Sequence, residues 1–239
     1  ADRMLDMGFI NDVRRIAKAI HPARQTALFS ATMPTEIASL AHDLLRDPVR
    51  VDVAPQGTTA AEIKQSVIMA RTKQKRRLLS QMLANPEMSS VMIFARTKHG
   101  ADRVTRDLER DGFEAAVIHG NKSQNARQKA LNGFRDGSVR ILVATDIAAR
   151  GIDVPGISHV VTFDLPDEAS SYVHRIGRTG RNGADGIAIT LCDPTEASKL
   201  RSVEKIIRMK LHVAADHTGE PDPKPEPGVQ RMQQPANDR

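Results

Sequence analysis

The sequence predicts an α/β fold, a parallel sheet flanked by helices, and three observations carry that reading. Short apolar runs alternate with amphipathic stretches through the middle of the 239-residue chain, the pattern of successive βαβ units. Some runs are apolar throughout, as in Ile141-Leu142-Val143-Ala144, which suits a strand buried on both faces. Turn dipeptides fall between the runs, at Asp111-Gly112, Asp136-Gly137 and Pro155-Gly156.

Strands are expected at Ile63–Met69, Val91–Ala95, Ala115–His119, Ile141–Thr145, His159–Asp164 and Ile187–Cys192. Helices are expected at Lys73–Ala84, His99–Asp111, Gln124–Arg135 and Ala169–Arg175. Residues 1–53 read differently. A helix is expected at Asp6–Ile20 and a short strand at Thr26–Ser30. A second helix, Thr35–Leu45, begins after Pro34 and closes before Pro48. One strand and two helices cannot bury their own faces. Leu5, Phe9, Ile10, Leu28 and Phe29 are therefore expected to face a partner sheet. Residues 54–61 (APQGTTAA) have linker composition. The main domain is expected over residues 62–212. Residues 213–239, rich in Pro, Asp and Glu, are expected to be a disordered tail.

Composition narrows the function classes. No apolar run reaches the roughly 18–20 residues that a membrane-spanning helix needs, and the charged first turns do not read as a signal peptide. A single cysteine, Cys192, excludes an internal disulfide and a cysteine-based zinc site, and fits a cytoplasmic protein. Lys and Arg number 35 against 29 Asp and Glu. The last segment, with Asp216, Glu220, Asp222, Glu226 and Asp238, is acidic, so the basic excess sits in the folded part and suggests a polyanionic partner. Six Phe, one Tyr and no Trp are few for a protein that stacks bases on aromatic rings. If the polyanion is a nucleic acid, contacts to phosphate and sugar should dominate.

Four stretches carry chemistry. Tyr172–Arg181 (YVHRIGRTGR) places His174, Arg178 and Arg181 on one face of a helical turn, with Arg175 beside them and Gly177, Gly180 and Gly183 between and after them. Guanidinium forks match phosphate oxygens two-point, and the glycines permit close backbone approach; a solvated basic turn is the alternative. Ile141–Val154 (ILVATDIAARGIDV) ends a buried strand at Thr145-Asp146, where parallel sheets form their binding crevice, and adds Asp153. Capping of the next helix is the alternative for Thr145 and Asp146. Ile118–Arg127 (IHGNKSQNAR) ends a strand at His119-Gly120 and opens a helix after Ser123, with Arg127 in its first turns, a geometry suited to phosphate. His119 as an ordinary turn residue is the alternative. Phe29–Met33 (FSATM) contributes Ser30 and Thr32 and says little alone.

Taken in order, these stretches resemble the DEAD-box family of ATP-dependent RNA helicases, over residues 1 to about 212. Ser30-Ala31-Thr32 resembles motif III, Phe94-Ala95-Arg96-Thr97 motif IV, Ala144–Asp153 motif V and His174–Arg181 motif VI. The opening Ala1-Asp2 resembles the last two letters of the DEAD tetrapeptide. RTKHGAD, IHGNKSQ and the EPDP of the tail resemble the bacterial RhlE-type subgroup. The resemblance implies two RecA-like domains that close over ATP and RNA, with this chain holding the second and a remnant of the first.

By the same resemblance Arg178 and Arg181 are arginine fingers toward the γ-phosphate of ATP, and Asp153 accepts a hydrogen bond from the ribose. His174 couples to Asp2, Ser30 and Thr32. Thr97, Gly120, Arg127 and Thr145 hold RNA phosphates and sugars. Magnesium is expected to be handled mostly by residues upstream of Ala1. No G-x-x-x-x-G-K-[ST] occurs in the chain, so it should not hydrolyse ATP unaided. RNA is the expected partner, with no membrane and a monomeric state. A non-catalytic RNA-binding or partner-docking module is the alternative, and a DNA-directed helicase of the same superfamily a further one.

Overall fold

A computed structural model describes residues 1–6, 8–30, 33–52, 63–149, 152, 154–180 and 186–223. The chain divides into two compact units, residues 1–58 and 59–239.

The first unit contains α1 (Asp2–Asp6), α2 (Ile10–Ala19) and α3 (Thr35–Leu44). The single helix expected over Asp6–Ile20 is interrupted, because Gly8 adopts φ +79° and turns the chain, a conformation open to glycine without strain. The strand expected at Thr26–Ser30 is not formed: those residues join no sheet among the described residues, since a strand needs a partner ladder. α3 buries Ile37 and Leu40. Phe9 and Phe29 are exposed, Phe29 at 84%, and Leu5, Ile10 and Leu28 are half-buried.

The second unit is a seven-stranded parallel sheet in the order β3-β4-β2-β5-β6-β1-β7. Its strands are β1 (Ile63–Met69), β2 (Val91–Phe94), β3 (Ala115–Ile118), β4 (Ile141–Ala144), β5 (His159–Thr162), β6 (Gly186–Cys192) and β7 (His212–Asp216). The helices are α4 (Thr72–Leu83), α5 (Lys98–Arg110), α6 (Gln124–Asp136), α7 (Asp146–Ala149), α8 (Ala169–Ile176) and α9 (Ala197–Ile207). Every residue of β2, β4 and β5 is buried, as continuous apolar runs require of central parallel strands. Alternate residues serve opposite faces. Val91, Ile93, Ile141 and Val143 pack with Leu79, Val104 and Leu108 of α4 and α5. Met92, Phe94, Leu142 and Ala144 pack with Ala130 and Phe134 of α6 and with Ala148. A third cluster joins Ile63 and Val67 to Tyr172, Ile176, Val203 and Ile207.

In this unit α7, α9 and β7 go beyond the expected strands and helices. α9 buries Val203 and Ile207. β7 pairs with β1, Ser66 opposite His212 and Met69 opposite Asp216, so the chain does not become a tail at residue 213. β7 is a mostly exposed edge strand with little apolar alternation, held by its ladder rather than by burial, so its sequence carries only a faint strand signature. Beyond it, the Gln74 amide, buried in α4, donates to the carbonyls of His217 (2.9 Å) and Glu220 (3.1 Å).

Candidate functional site

In a parallel sheet every strand delivers its carboxyl end to one edge, where ligands bind. β3, β4 and β2 are neighbours there, with Ile118 opposite Ala144 and Ala144 opposite Phe94. The residues that follow them therefore share one rim: Thr97 after β2, His119-Gly120 after β3 and Thr145 after β4. Thr97 caps α5, its hydroxyl accepting from the Gly100 amide at 3.0 Å. Ser123 caps α6, accepting from Ala126 N at 3.3 Å. Arg127 Nη1 donates to Gln124 Oε1 at 3.4 Å, while its Nε is enclosed without a hydrogen-bond partner. The Thr145 carbonyl accepts the Ala149 amide and opens α7. Thus Thr97, Gly120, Arg127 and Thr145 are brought together as a polar rim.

A second group shapes that rim, joining His119, which the sequence singled out, to Asp102, which it did not. His119 is buried, with Nε2 3.0 Å from Asp102 Oδ1 and Nδ1 accepting from the Asn121 amide at 3.2 Å. Nδ1 is therefore the acceptor and Nε2 carries the proton. Lys122 Nζ also lies 3.0 Å from Asp102 Oδ1, and Lys98 donates to Asn121 Oδ1 at 3.2 Å. Partial burial acts to raise the Asp102 pKa, but hydrogen bonds from His119 and Lys122 outweigh it and hold the carboxyl below its ordinary value.

Beyond β2 stands a recess lined by Phe94, Asp146, Ala149, Ser171, His174, Arg175 and Arg178. Arg175 is 1% exposed. Its Nε and Nη2 donate to the two carboxylate oxygens of Asp146 at 2.6 and 2.8 Å, and Nη1 donates to the Asp164 carbonyl at 2.6 Å. Its guanidinium also stacks 5.3 Å from the Phe94 ring centre. The preceding carbonyl, of Phe163, is held by buried Lys75 at 3.0 Å, and Lys75 pairs with Glu196 at 2.8 Å. Two buried cations thus clamp the end of β5.

This revises the sequence reading. Of the clustered arginines, Arg175 is already neutralised within the chain, and Asp146 serves Arg175 rather than projecting as a free site carboxylate. Arg178 is 8% exposed. It donates from Nη1 to the Ile152 carbonyl at 2.6 Å and from Nε to the His174 carbonyl at 3.3 Å. These carbonyls fix the direction of its guanidinium, whose fork matches phosphate oxygens. Gly186 passes so close to Gly180 that a Cβ on Gly186 would lie 2.6 Å from Gly180 N, and Gly180 itself has φ +65°. Arg181, Asp153 and Thr32 lie outside the described residues. In the first unit, Asp2 is buried and its amide donates to Ser30 Oγ at 3.2 Å.

No group of three His, Cys, Asp or Glu side chains among the described residues could hold a metal ion. No helix among the described residues is long and apolar enough to cross a membrane.

Comparison with known proteins fits this geometry. The chain aligns with the crystal structure of the E. coli DEAD-box protein SrmB bound to regulator of ribonuclease activity A at 34% identity and TM-score 0.59, over 64% of this chain and 89% of that one. The chain belongs to the DEAD-box family. The helicase conserved C-terminal domain matches residues 74–183, and the DEAD/DEAH box helicase domain matches residues 1–40. RNA helicase CrhR of Synechocystis is 46% identical over 214 residues, which are 89% of this chain. This DEAD-box chain spans 44% of the length of that relative. S. cerevisiae Dbp5 bound to RNA and ADP BeF3 aligns with TM-score 0.78 at 27% identity, over 86% of this chain and 55% of that one.

Proposed function

We propose that this chain supplies the RNA-gripping and phosphate-sensing half of an ATP-dependent RNA helicase that separates short duplexes by closure of two RecA-like domains. The observation that carries this reading is the shared edge. Thr97, Gly120, Arg127 and Thr145 line the ends of three adjacent strands, while Arg178 is fixed over the neighbouring recess. A rim of backbone donors, hydroxyls and one guanidinium suits phosphate and sugar and reads no base. Binding should therefore be indifferent to sequence and steeply salt-dependent. Recognition of the 2′-hydroxyl would separate RNA from DNA.

Arg178 and Arg181 would hold the terminal phosphate of ATP, and Asp153 its ribose. The nucleotide supplies the bond that is cleaved. The guanidiniums stabilise charge that develops as it breaks, a contribution of about 10³–10⁵ in rate for an arginine finger. Across the two units, coupling is assigned to Asp2, Ser30 and Thr32 on one and His174 on the other. Ligands that each favour the closed state favour one another. The wording of RTKHGAD and IHGNKSQ supports placement in the RhlE-type subgroup, and the single cysteine supports a cytoplasmic location.

An RNA-binding series in rising salt, with and without ATP, tests the reading on the chain itself. Sequence-indifferent, salt-sensitive and ATP-independent binding is expected, because the chain has no Walker A loop. Binding by this chain alone that requires ATP would contradict it. Joined to a Walker A-bearing domain, the Arg181→Ala protein should lose RNA-stimulated ATP hydrolysis while remaining folded.

A further inference from the structure

The run Arg71-Thr72-Lys73-Gln74-Lys75-Arg76-Arg77 opens α4 with five bases and no acid. Lys75 is buried on Glu196 and Arg76 reaches Asp107 and Asp111. The other three point outward and meet the acidic segment after β7. Arg71 Nε lies 3.3 Å from Asp222 Oδ1, Lys73 Nζ 3.4 Å from Asp222 Oδ2, and Arg77 Nη2 2.7 Å from Glu220 Oε2. Arg71 also donates to the Glu220 carbonyl. Its Nε is enclosed yet makes no aligned hydrogen bond, so two carboxylates satisfy this cluster only in part. His217 and Arg77 hydrogen-bond Glu220 and hold its carboxyl below the ordinary value.

These are surface contacts. Side-chain exposures of 41%, 78% and 42% for the three bases limit each pair to about 0–1 kcal/mol. The turn itself is held independently, by the β7 ladder and by the Gln74 amide on two carbonyls. The carboxylates can therefore be displaced or neutralised while the backbone stays in place.

We propose that Arg71, Lys73 and Arg77 form a second phosphate-backbone site for single-stranded RNA, masked in this chain by Glu220 and Asp222. β1 ends at the same sheet edge as the rim, three strands from β2 in the order β2-β5-β6-β1, or about 14 Å at the usual strand spacing. One strand can reach both. The choice of RNA over another polyanion rests on the rim reading; the masking does not.

The test measures binding of a fluorescein-labelled oligouridylate to the full chain. The E220Q/D222N pair should bind at least about threefold tighter, with the salt slope steeper by about 1.4 for two added single-strand contacts. Adding K73Q/R77Q should cancel the gain. E36Q/D47N, which changes net charge equally in the first unit, should give none. The gain should persist in an Arg127→Gln background. The proposal is overturned if E220Q/D222N binds no tighter than E36Q/D47N, or if the gain survives K73Q/R77Q. Binding by E220Q/D222N but not by the wild-type chain would retain the masked site and remove the rim. Binding by neither would remove both.

Discussion

Arg175 and Asp146 form a two-point ion pair, at 2.6 and 2.8 Å, in which the guanidinium is 1% exposed. The pair ties α8, which leads into the arginine turn, to the first residue of α7 after β4. Breaking one side of such a pair leaves a buried charge uncompensated, at a cost of about 3–5 kcal/mol. Asp146→Ala should therefore lower the unfolding free energy obtained from urea denaturation by that order, and Arg175→Lys should not restore two-point geometry. A midpoint unchanged in both variants would mean that solvent satisfies Arg175.

Gly186→Ala should destabilise by about 2 kcal/mol or more, because its Cβ would press on the Gly180 backbone at 2.6 Å, and overpacking against backbone has no flexible side chain to yield. Thermal unfolding of the variant measures it. An unshifted midpoint would show that the turn moves freely.

Asp193 caps the start of α4, accepting from the Thr72 amide at 2.6 Å and hydroxyl at 2.8 Å, and from the Thr195 amide at 2.9 Å. Burial acts to raise its pKa, but hydrogen bonds from Thr195 and Thr72 prevail and bring it to about 2, against 3.8 ordinarily. The folded value lies below the unfolded one, so the unfolded chain takes up the proton first as pH falls. The stabilisation, about 2 kcal/mol, is complete above pH 4 and lost between pH 4 and 2. Urea midpoints across that window should fall less steeply for Asp193→Asn than for wild type.

His159 moves in the same direction for a different reason. Burial lowers its pKa, and the opposing pull of Glu87 is smaller. A depressed histidine favours the fold fully above pH 6.5 and loses that contribution as pH falls below it. His159→Gln should flatten the stability profile just below pH 6.5.

Arg127→Gln should weaken single-stranded RNA binding equally for all sequences and reduce the salt slope by about 0.7, the loss of one phosphate contact. A change confined to one base composition would instead indicate base readout at the rim.

Much of this was legible in the residues. Continuous apolar runs marked β2 and β4, and Ser123 announced the cap of α6. The spacing of His174 and Arg178 marked the turn that lines the recess. What escaped depends on contacts distant in sequence. Nothing local to Asp102 marks it as the partner of His119, and nothing near Asp164 or Lys75 says that a buried cation holds each carbonyl at the end of β5. The internal neutralisation of Arg175 is likewise a matter of β4 lying beside β2. β7 escaped because an exposed edge strand needs only its ladder, and the Thr26–Ser30 strand failed because extended backbone without a neighbour forms no ladder.

Amide shifts of the ¹⁵N-labelled chain, titrated with oligouridylate, locate the RNA surface most directly. Perturbations concentrated at Thr97–Lys98, Gly120–Ser123, Arg127 and Thr145 are the expected result. Perturbations on the opposite, amino-terminal edge of the sheet, with this rim silent, would contradict it.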